Sequence, residues 1–347
     1  MILAIDYEFN KTENIFLLVF TALALALLAG LRHPDIERDY QNYLFSFDMI
    51  YQDKNPVYLA VFEPGFFLIV YSVRSLIEIN YGLVIMLVYA FASVFIKIYS
   101  IKSLAINPYL VILIYFSHFF FLHEMTQIRI GLATAIFFVS ISYYLKGNLK
   151  AYVALILLAT FFHYTAFLYL GVLLFKRDSF NRYFYFSIII VSIILVFIKV
   201  PLIGFLNNIE SNQFSSKIEN YAIAAEYASE KINVLNAVTI FNILCCIYLI
   251  VAVLPDGFSN DKRLSLFLKC NIFSIFFLSF LSGIPSIAFR ISDLFGVLSM
   301  FTFAYLARYL PLGKYNIFIT IMIAAIFFYF FALNSTLIKP YKLINIQ

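Results

Sequence analysis

The stretch HEMTQIRIGLATAIFF, residues 123–138, places His123, Glu124 and Arg129 at the start of a long apolar run. An arginine or lysine at the centre of a membrane helix costs about 2.5–3.5 kcal/mol on insertion scales, so such groups need a specific reason. We expect these side chains to line a water-filled chamber that holds an anionic, lipid-linked substrate. The small residues that follow the arginine allow a neighbouring helix to approach closely.

The composition around this stretch indicates a membrane protein. The chain has 347 residues, of which 63% are hydrophobic and 12% are charged, and its mean hydropathy is +0.93. Soluble domains contain about 25% charged residues, so water cannot be the only solvent of this surface. The net charge of +5 includes no basic cluster typical of nucleic-acid binding. No metal-ligand spacing or cofactor motif is present, so we expect neither a metal nor a cofactor.

Apolar segments recur along the whole chain without the two-residue alternation of barrel strands, which predicts an all-α polytopic protein. We expect about 9–11 transmembrane helices in a single domain covering residues 1–347. The segments are 15–31, 59–79, 82–99, 108–122, 128–145, 151–175, 183–200, 234–254, 266–283, 288–310 and 315–333.

Two long polar connections, 32–58 and 201–233, interrupt these segments. Segment 59–79 opens with FEPGFF and segment 151–175 contains FFHYT, so each can enter and leave on one side as a re-entrant hairpin. Basic residues such as Lys97 then lie on the cytoplasmic side, as the positive-inside rule requires, and both polar loops lie on the other side.

Three arginines are candidates for binding a diphosphate. Arg129 stands at a helix N-terminus, where it opposes the macrodipole but adds to a positive spot suited to phosphate. Its alternative role is snorkelling or pairing with Glu124. Arg290 has pairing with Asp293 as an equal alternative, and Arg32 alone is typical of an interfacial anchor.

Candidate general bases are Glu63, His163 and Asp39. Glu63 precedes Pro64 and Gly65, where freed backbone groups and a carboxylate can share a pocket. His163 lies at a possible helix break, with a hydrogen-bonded core histidine as the alternative. Asp39 has plain solvated surface as its alternative. The candidate glycan contacts are Tyr40, Tyr43 and Gln127.

Four motifs occur in the order RHPDIERDYQNY, FEPGFF, QIRIGLATAIFF and FFHYTAF, and with them the chain resembles the EpsG family of Wzy-type polysaccharide polymerases. The similarity is strongest over residues 32–175, and the later FRISDLF is similar to a further arginine segment of that family. The resemblance implies a GT-C-like glycosyltransferase at the outer face of the bacterial cytoplasmic (inner) membrane. It would transfer a growing glycan from undecaprenyl diphosphate onto a new lipid-linked repeat unit for O-antigen, capsule or exopolysaccharide, with a chain-length regulator as a further expected partner.

Two other classes of protein stay open on the sequence. A flippase for the same lipid-linked oligosaccharide would also need buried arginines and a wet cavity. Transporters often contain inverted repeats, and none is visible here. A non-catalytic scaffold explains the apolar segments but not the arginine, glutamate and histidine that we expect to face one compartment.

Overall fold

The computed structural model describes residues 11–344 except 38, 53–61, 199–232, 254–260 and 336–338. In this part of the chain the secondary structure is helical, without a β-strand beyond one isolated bridge between Arg32 and Leu343. The α-helices are α1 (Lys11–Gly30), α2 (Tyr40–Gln52), α3 (Pro64–Leu76), α4 (Tyr81–Leu104), α5 (Pro108–Ile114), α6 (Ile128–Leu145), α7 (Leu149–Phe162), α8 (Arg182–Ile198), α9 (Ala237–Tyr248), α10 (Lys262–Phe280), α11 (Pro285–Gly296), α12 (Ser299–Tyr309) and α13 (Asn316–Phe328). The π-helical turns are Tyr115–Phe119, Phe121–Thr126, Leu249–Val253 and Tyr329–Leu333, and the 3-10 helices are Tyr164–Leu174 and Gly313–Tyr315.

Short polar side chains start several of these helices. Asn107 accepts hydrogen bonds from the first amides of α5, Asn148 from α7, Asn236 from α9 and Asp261 from α10. An asparagine or aspartate at this position satisfies amides that no helical carbonyl can reach. The caps therefore fix where the apolar helices begin.

The all-α, multi-pass membrane architecture predicted from the sequence is confirmed. Among the described residues, four helices are long and apolar enough to cross a membrane, namely α4, α6, α10 and Asn316–Leu333. Helices α11 and α12 pass the same test only together and are bent by 48°, as a broken span or a re-entrant loop would be. Seven shorter apolar helices accompany them in the same part of the chain. The count of 9–11 spans stays a prediction.

Both segments predicted as re-entrant hairpins contain short helices. Helix α3 has 13 residues, a length of about 20 Å, against a hydrocarbon core of about 30 Å. Helix α7 ends at Phe162, and a 3-10 helix begins at Tyr164, so the expected break at His163 is present. Loop 201–233 lies almost entirely outside the described residues, as do residues 53–58 of the first loop.

The helices group into two compact units, while the prediction of a single domain stays a prediction. The first unit contains residues 1–170 and 310–347. Within it α4 packs against α1 and α6, and α6 packs against α7. This unit contains almost all the candidate site residues.

The second unit contains residues 171–309 and is built around α10, which packs against α8, α11 and α12. Asn242 and Asn271 exchange amide hydrogen bonds of 2.9 and 2.7 Å inside it. Lys269 donates to the carbonyls of Lys176 and Ser179 at 2.5 and 2.6 Å. These bonds satisfy polar groups that lipid could not solvate.

Candidate active site

The carboxylate of Glu63 contacts two candidate residues from distant parts of the first unit. Its Oε2 atom lies 2.5 Å from Arg129 Nη1, and its Oε1 atom lies 2.9 Å from His163 Nδ1. Glu63 is therefore the bridge between a guanidinium and an imidazole. The structure brings together three of the residues that the sequence singled out.

The start of α3 explains how Glu63 reaches both partners. Pro64 occupies the first helical position, and Glu63 before it has an extended backbone with φ −64° and ψ 139°. The carboxylate makes no capping bond to its own helix. A Cβ atom on Gly65 would lie 2.6 Å from the ring of Phe162, so only glycine permits this close approach of α3 to the end of α7.

The end of α7 delivers His163. Its backbone is extended, with φ −155° and ψ 118°, and its amide donates to the carbonyl of Ala159 at 3.0 Å. The next residue, Tyr164, donates its hydroxyl to the carbonyl of Phe62 at 3.3 Å. The position of His163 is thus fixed by the hydrogen bond of its own amide and by that of the next residue, Tyr164.

Arg129 lies in the first turn of α6, where its charge adds to the positive end of the helix dipole. Its guanidinium carbon lies 4.9 Å from the centre of the Phe66 ring and 5.9 Å from that of Tyr43. The two rings lie 6.3 Å from each other on one side of the guanidinium, and their contacts with it restrict its position.

Exposure differs among the three groups. The side chain of Glu63 is 5% exposed, whereas those of His163 and Arg129 are 16% and 30% exposed. The carboxylate therefore lies behind the two basic groups. Such an arrangement can take a proton on the free imidazole nitrogen and bind an anion at the guanidinium.

The expectation that His123 and Glu124 line the same wet chamber is wrong, because both are buried at 1% and 2% exposure. Glu124 forms an ion pair with Lys97 and accepts the Tyr115 hydroxyl at 2.8 Å. Neither ring nitrogen of His123 has a hydrogen-bond partner within the described part of the chain.

Sequence reasoning missed Lys97, which was assigned to the cytoplasmic surface. It is fully buried in α4, where its ammonium group also lies 3.3 Å from Ser93 Oγ. Lysine near the end of an apolar helix usually snorkels, and the sequence contains no sign that this one turns inward.

Arg32 is fully buried, and its guanidinium is committed to protein groups. It donates to the Ala29 carbonyl at 2.6 Å and to the Met125 carbonyl, and it lies 3.4 Å from Glu37. Its guanidinium carbon also lies 5.2 Å from the ring of Tyr40, which is 1% exposed. Neither residue offers a surface to diphosphate or glycan.

The backbone around Arg32 is tied to the C-terminal part of the first unit. His33 N–H donates to the Lys342 carbonyl at 2.9 Å, and Ile344 N–H donates to the Leu31 carbonyl at 3.0 Å. Lys339 N–H donates to the Ile36 carbonyl at 2.7 Å. Segment 339–344 thus covers the turn that holds Arg32.

The remaining candidates lie in different settings. Asp39 is partly exposed, and its amide donates to Glu37 Oε2 at 2.6 Å. Gln127 is partly exposed at the junction before α6, and Tyr43 is buried beside Arg129. Arg290 is exposed on α11 in the second unit. Their assigned roles stay predictions.

The EpsG family model matches residues 15–343, nearly the whole chain. No curated protein and no solved structure matches the chain. The EpsG family includes Wzy-like polymerases. The resemblance seen in the four sequence motifs is therefore confirmed at the level of the family.

Proposed function

The chain belongs to the EpsG family, and from that membership we propose that it is a Wzy-type polysaccharide polymerase. Membership indicates a polysaccharide polymerase-like membrane protein, and the finer statement is our proposal. The enzyme transfers a growing glycan from undecaprenyl diphosphate onto a new lipid-linked repeat unit. The reaction takes place at the outer face of the cytoplasmic membrane.

His163 is the general base of this reaction. Its Nδ1–H donates to the Glu63 carboxylate, so its Nε2 lone pair is the group that can accept a proton. The acceptor hydroxyl loses its proton to Nε2 while its oxygen forms a bond to the anomeric carbon of the donor glycan. Glu63 stabilises the imidazolium that results, as the carboxylate of a catalytic triad does.

Arg129 binds the leaving group. The bond between the anomeric carbon and the diphosphate oxygen breaks, and the electron pair leaves with undecaprenyl diphosphate. One guanidinium nitrogen is held by Glu63, and the partly exposed side chain binds phosphate oxygens through its other N–H groups. Removing one such donor at a site of developing charge typically lowers the rate by about 10²–10³.

One observation carries the proposal: a single buried carboxylate joins a partly exposed arginine to a partly exposed histidine. The test is complementation of a deletion strain with Arg129→Ala or His163→Ala, followed by gel analysis of the surface glycan and immunoblotting of the protein. We expect each variant to produce only lipid carrying one repeat unit, at normal protein level. A wild-type ladder of chain lengths from either variant would contradict the proposal.

The chain provides matched controls for both substitutions. Arg177 pairs with Asp178 at 3.4 Å with a similarly exposed side chain, 34%. His33 lies 3.5 Å from Asp35 and is 30% exposed. Arg177→Ala and His33→Ala remove the same kinds of group from other acidic partners, so we expect both to keep the full ladder.

The same deletion strain separates the polymerase from the flippase. A polymerase defect leaves single-repeat lipid at the outer face of the membrane, where added glycan-modifying enzymes reach it in intact spheroplasts. A flippase defect leaves that lipid at the inner face, where it is protected until the membrane is opened. We expect the first result.

A further inference from the structure

Helices α2 and α3 lie side by side and extend away from the candidate active site. Phe47 and Phe66 pack together at 5.8 Å near Arg129. Further along the same helices Tyr51 and Tyr71 approach to 6.2 Å. Glu63 and Arg74 are separated by 11 residues of α3, which corresponds to about 16 Å. The helix pair thus joins the reacting groups to a second cluster of side chains.

This second cluster, the tyrosine platform, consists of Tyr51, Tyr71, Tyr81, Arg74 and Asp48. The guanidinium carbon of Arg74 lies 3.9 Å from the ring centre of Tyr81 and 5.0 Å from that of Tyr51. The Tyr81 hydroxyl donates to Asp48 Oδ1 at 2.6 Å, and Arg74 Nη2 lies 4.0 Å from the same oxygen. Arg74 Nη1 also donates to the Glu78 carbonyl at 3.1 Å. These contacts fix the platform from one side.

The other side of the platform is open. Tyr51 is 41% exposed and Tyr71 is 49% exposed, and the ring of Phe67 stacks on that of Tyr71 at 5.7 Å and 12°. Tyrosine offers an apolar face together with a hydroxyl. Aromatic side chains therefore follow one another along α3 from the candidate active site to an accessible surface.

The charges of the platform indicate its ligand. Arg74 and Asp48 neutralise each other, so the platform has no net attraction for an anionic headgroup. It presents flat apolar faces, hydroxyl groups, an acceptor carboxylate and guanidinium donors within one small area. A sugar ring has the complementary surfaces, because its C–H groups form apolar faces and its hydroxyls both donate and accept.

We propose that the tyrosine platform binds the glycan about two to three helical turns away from the reacting bond. This inference rests on the proposed function, since it assigns to the same site the sugar units that follow the one being joined. Tyr51 and Tyr71 are the contact residues. Arg74 and Tyr81 are positioning residues that hold the ring of Tyr51 and the carboxylate of Asp48.

The absence of tryptophan from the sequence allows a direct test. Tyr71→Trp creates the only tryptophan in the purified 347-residue chain, so its fluorescence reports on the platform alone. The probe is the oligosaccharide of several repeat units released by mild acid from lipid-linked glycan of the source strain. Tyr99→Trp is the matched control, because Tyr99 is 72% exposed on α4 away from the platform.

We expect the oligosaccharide to change the emission of Tyr71→Trp saturably and to leave Tyr99→Trp unchanged. Adding Tyr51→Ala to Tyr71→Trp should weaken binding by roughly tenfold, because one aromatic face is lost. If Tyr71→Trp does not fold, Tyr51→Trp serves the same purpose. The proposal is overturned if the oligosaccharide has no effect while brominated lipids quench the emission, since the tyrosines then anchor the protein at the membrane interface.

A second measurement separates this inference from the proposed function. In the deletion strain, a Tyr51→Ala and Tyr71→Ala double variant should still join two repeat units but give a ladder shifted to shorter chains. An unchanged ladder would overturn the platform and leave the polymerase proposal intact. If the wild-type chain itself restores no ladder, the polymerase proposal fails, whatever the platform binds.

Discussion

Glu63 and His163 lie 100 residues apart in the chain, yet Glu63 Oε1 is 2.9 Å from His163 Nδ1. The contact depends on two local features, the extended backbone before Pro64 and the break after α7. A carboxylate behind an imidazole fixes the orientation of the ring and stabilises its protonated form. In our proposal the two residues therefore have different roles, although the sequence left them as equal candidates for the base.

Glu63→Gln keeps the size of the side chain but removes its charge. We expect the rate of polymer formation to fall by about 10²–10⁴, in the range of triad variants that lose the carboxylate charge. The assay is single-turnover transfer between lipid-linked repeat units in proteoliposomes. An unchanged transfer rate would rule out the orienting role of Glu63.

The buried pair of Lys97 and Glu124 gives a prediction about stability. Removing one partner from a buried ion pair typically costs about 3–5 kcal/mol, because the other charge is left without compensation. Lys97→Met and Glu124→Gln should each lower the melting temperature of the solubilised protein. The double variant should lose less than the sum of the two single losses. Strictly additive losses would show that the two side chains do not stabilise each other.

Gly131 gives a prediction about the position of Arg129. A Cβ atom there would overlap the carbonyl oxygen of His123, which is backbone and cannot rotate away. We expect Gly131→Ala to cost about 1–3 kcal/mol, as overpacked cores do, and to reduce polymer formation. Gly171→Ala is the matched control, since its Cβ would have an ordinary contact of 3.8 Å with Phe295. Equal melting temperatures for the two variants would contradict the prediction.

Glu37 gives a prediction about pH. Burial raises the pKa of Glu37 from its ordinary 4.5 to about 7, although Arg32 beside it acts in the opposite direction. Between these two pKa values the folded protein keeps a proton that the unfolded chain releases, so the contribution of Glu37 to stability is greatest below pH 4.5 and is lost as pH rises to about 7. Glu37→Gln should remove this part of the slope in thermal unfolding measured at several pH values. Asp35→Asn, at an exposed carboxylate, should leave the slope as it is in the wild-type protein.

Much of the fold follows from patterns that the sequence displays openly. The apolar segments have the length of helices, and asparagine, aspartate, proline and glycine mark where several begin or end. Arg129, Glu63 and His163 stood out because charged or polar groups in apolar segments are costly. Such residues are identifiable one at a time, without knowledge of which groups they meet.

The contacts between these residues were not predictable, because a sequence pattern identifies single residues and not their partners. Arg32 and Arg129 look alike in sequence, but Arg32 is surrounded by carbonyl oxygens that only the folded chain provides. Lys97 near the end of α4 looked like a surface charge, and its inward direction depends on the π-helical turn that presents Glu124. Local sequence reports the cost of a buried charge but does not identify the group that compensates it.

The hydrogen bonds between segment 339–344 and the turn after α1 link two parts of the chain that are separated by nearly its full length. A reporter or affinity tag inserted close to residue 339 would displace segment 339–344 and expose Arg32 to water. The Met125 carbonyl would then lose its guanidinium donor, just two residues before the junction from which α6 starts. Domains added to this protein should therefore be inserted away from segment 339–344.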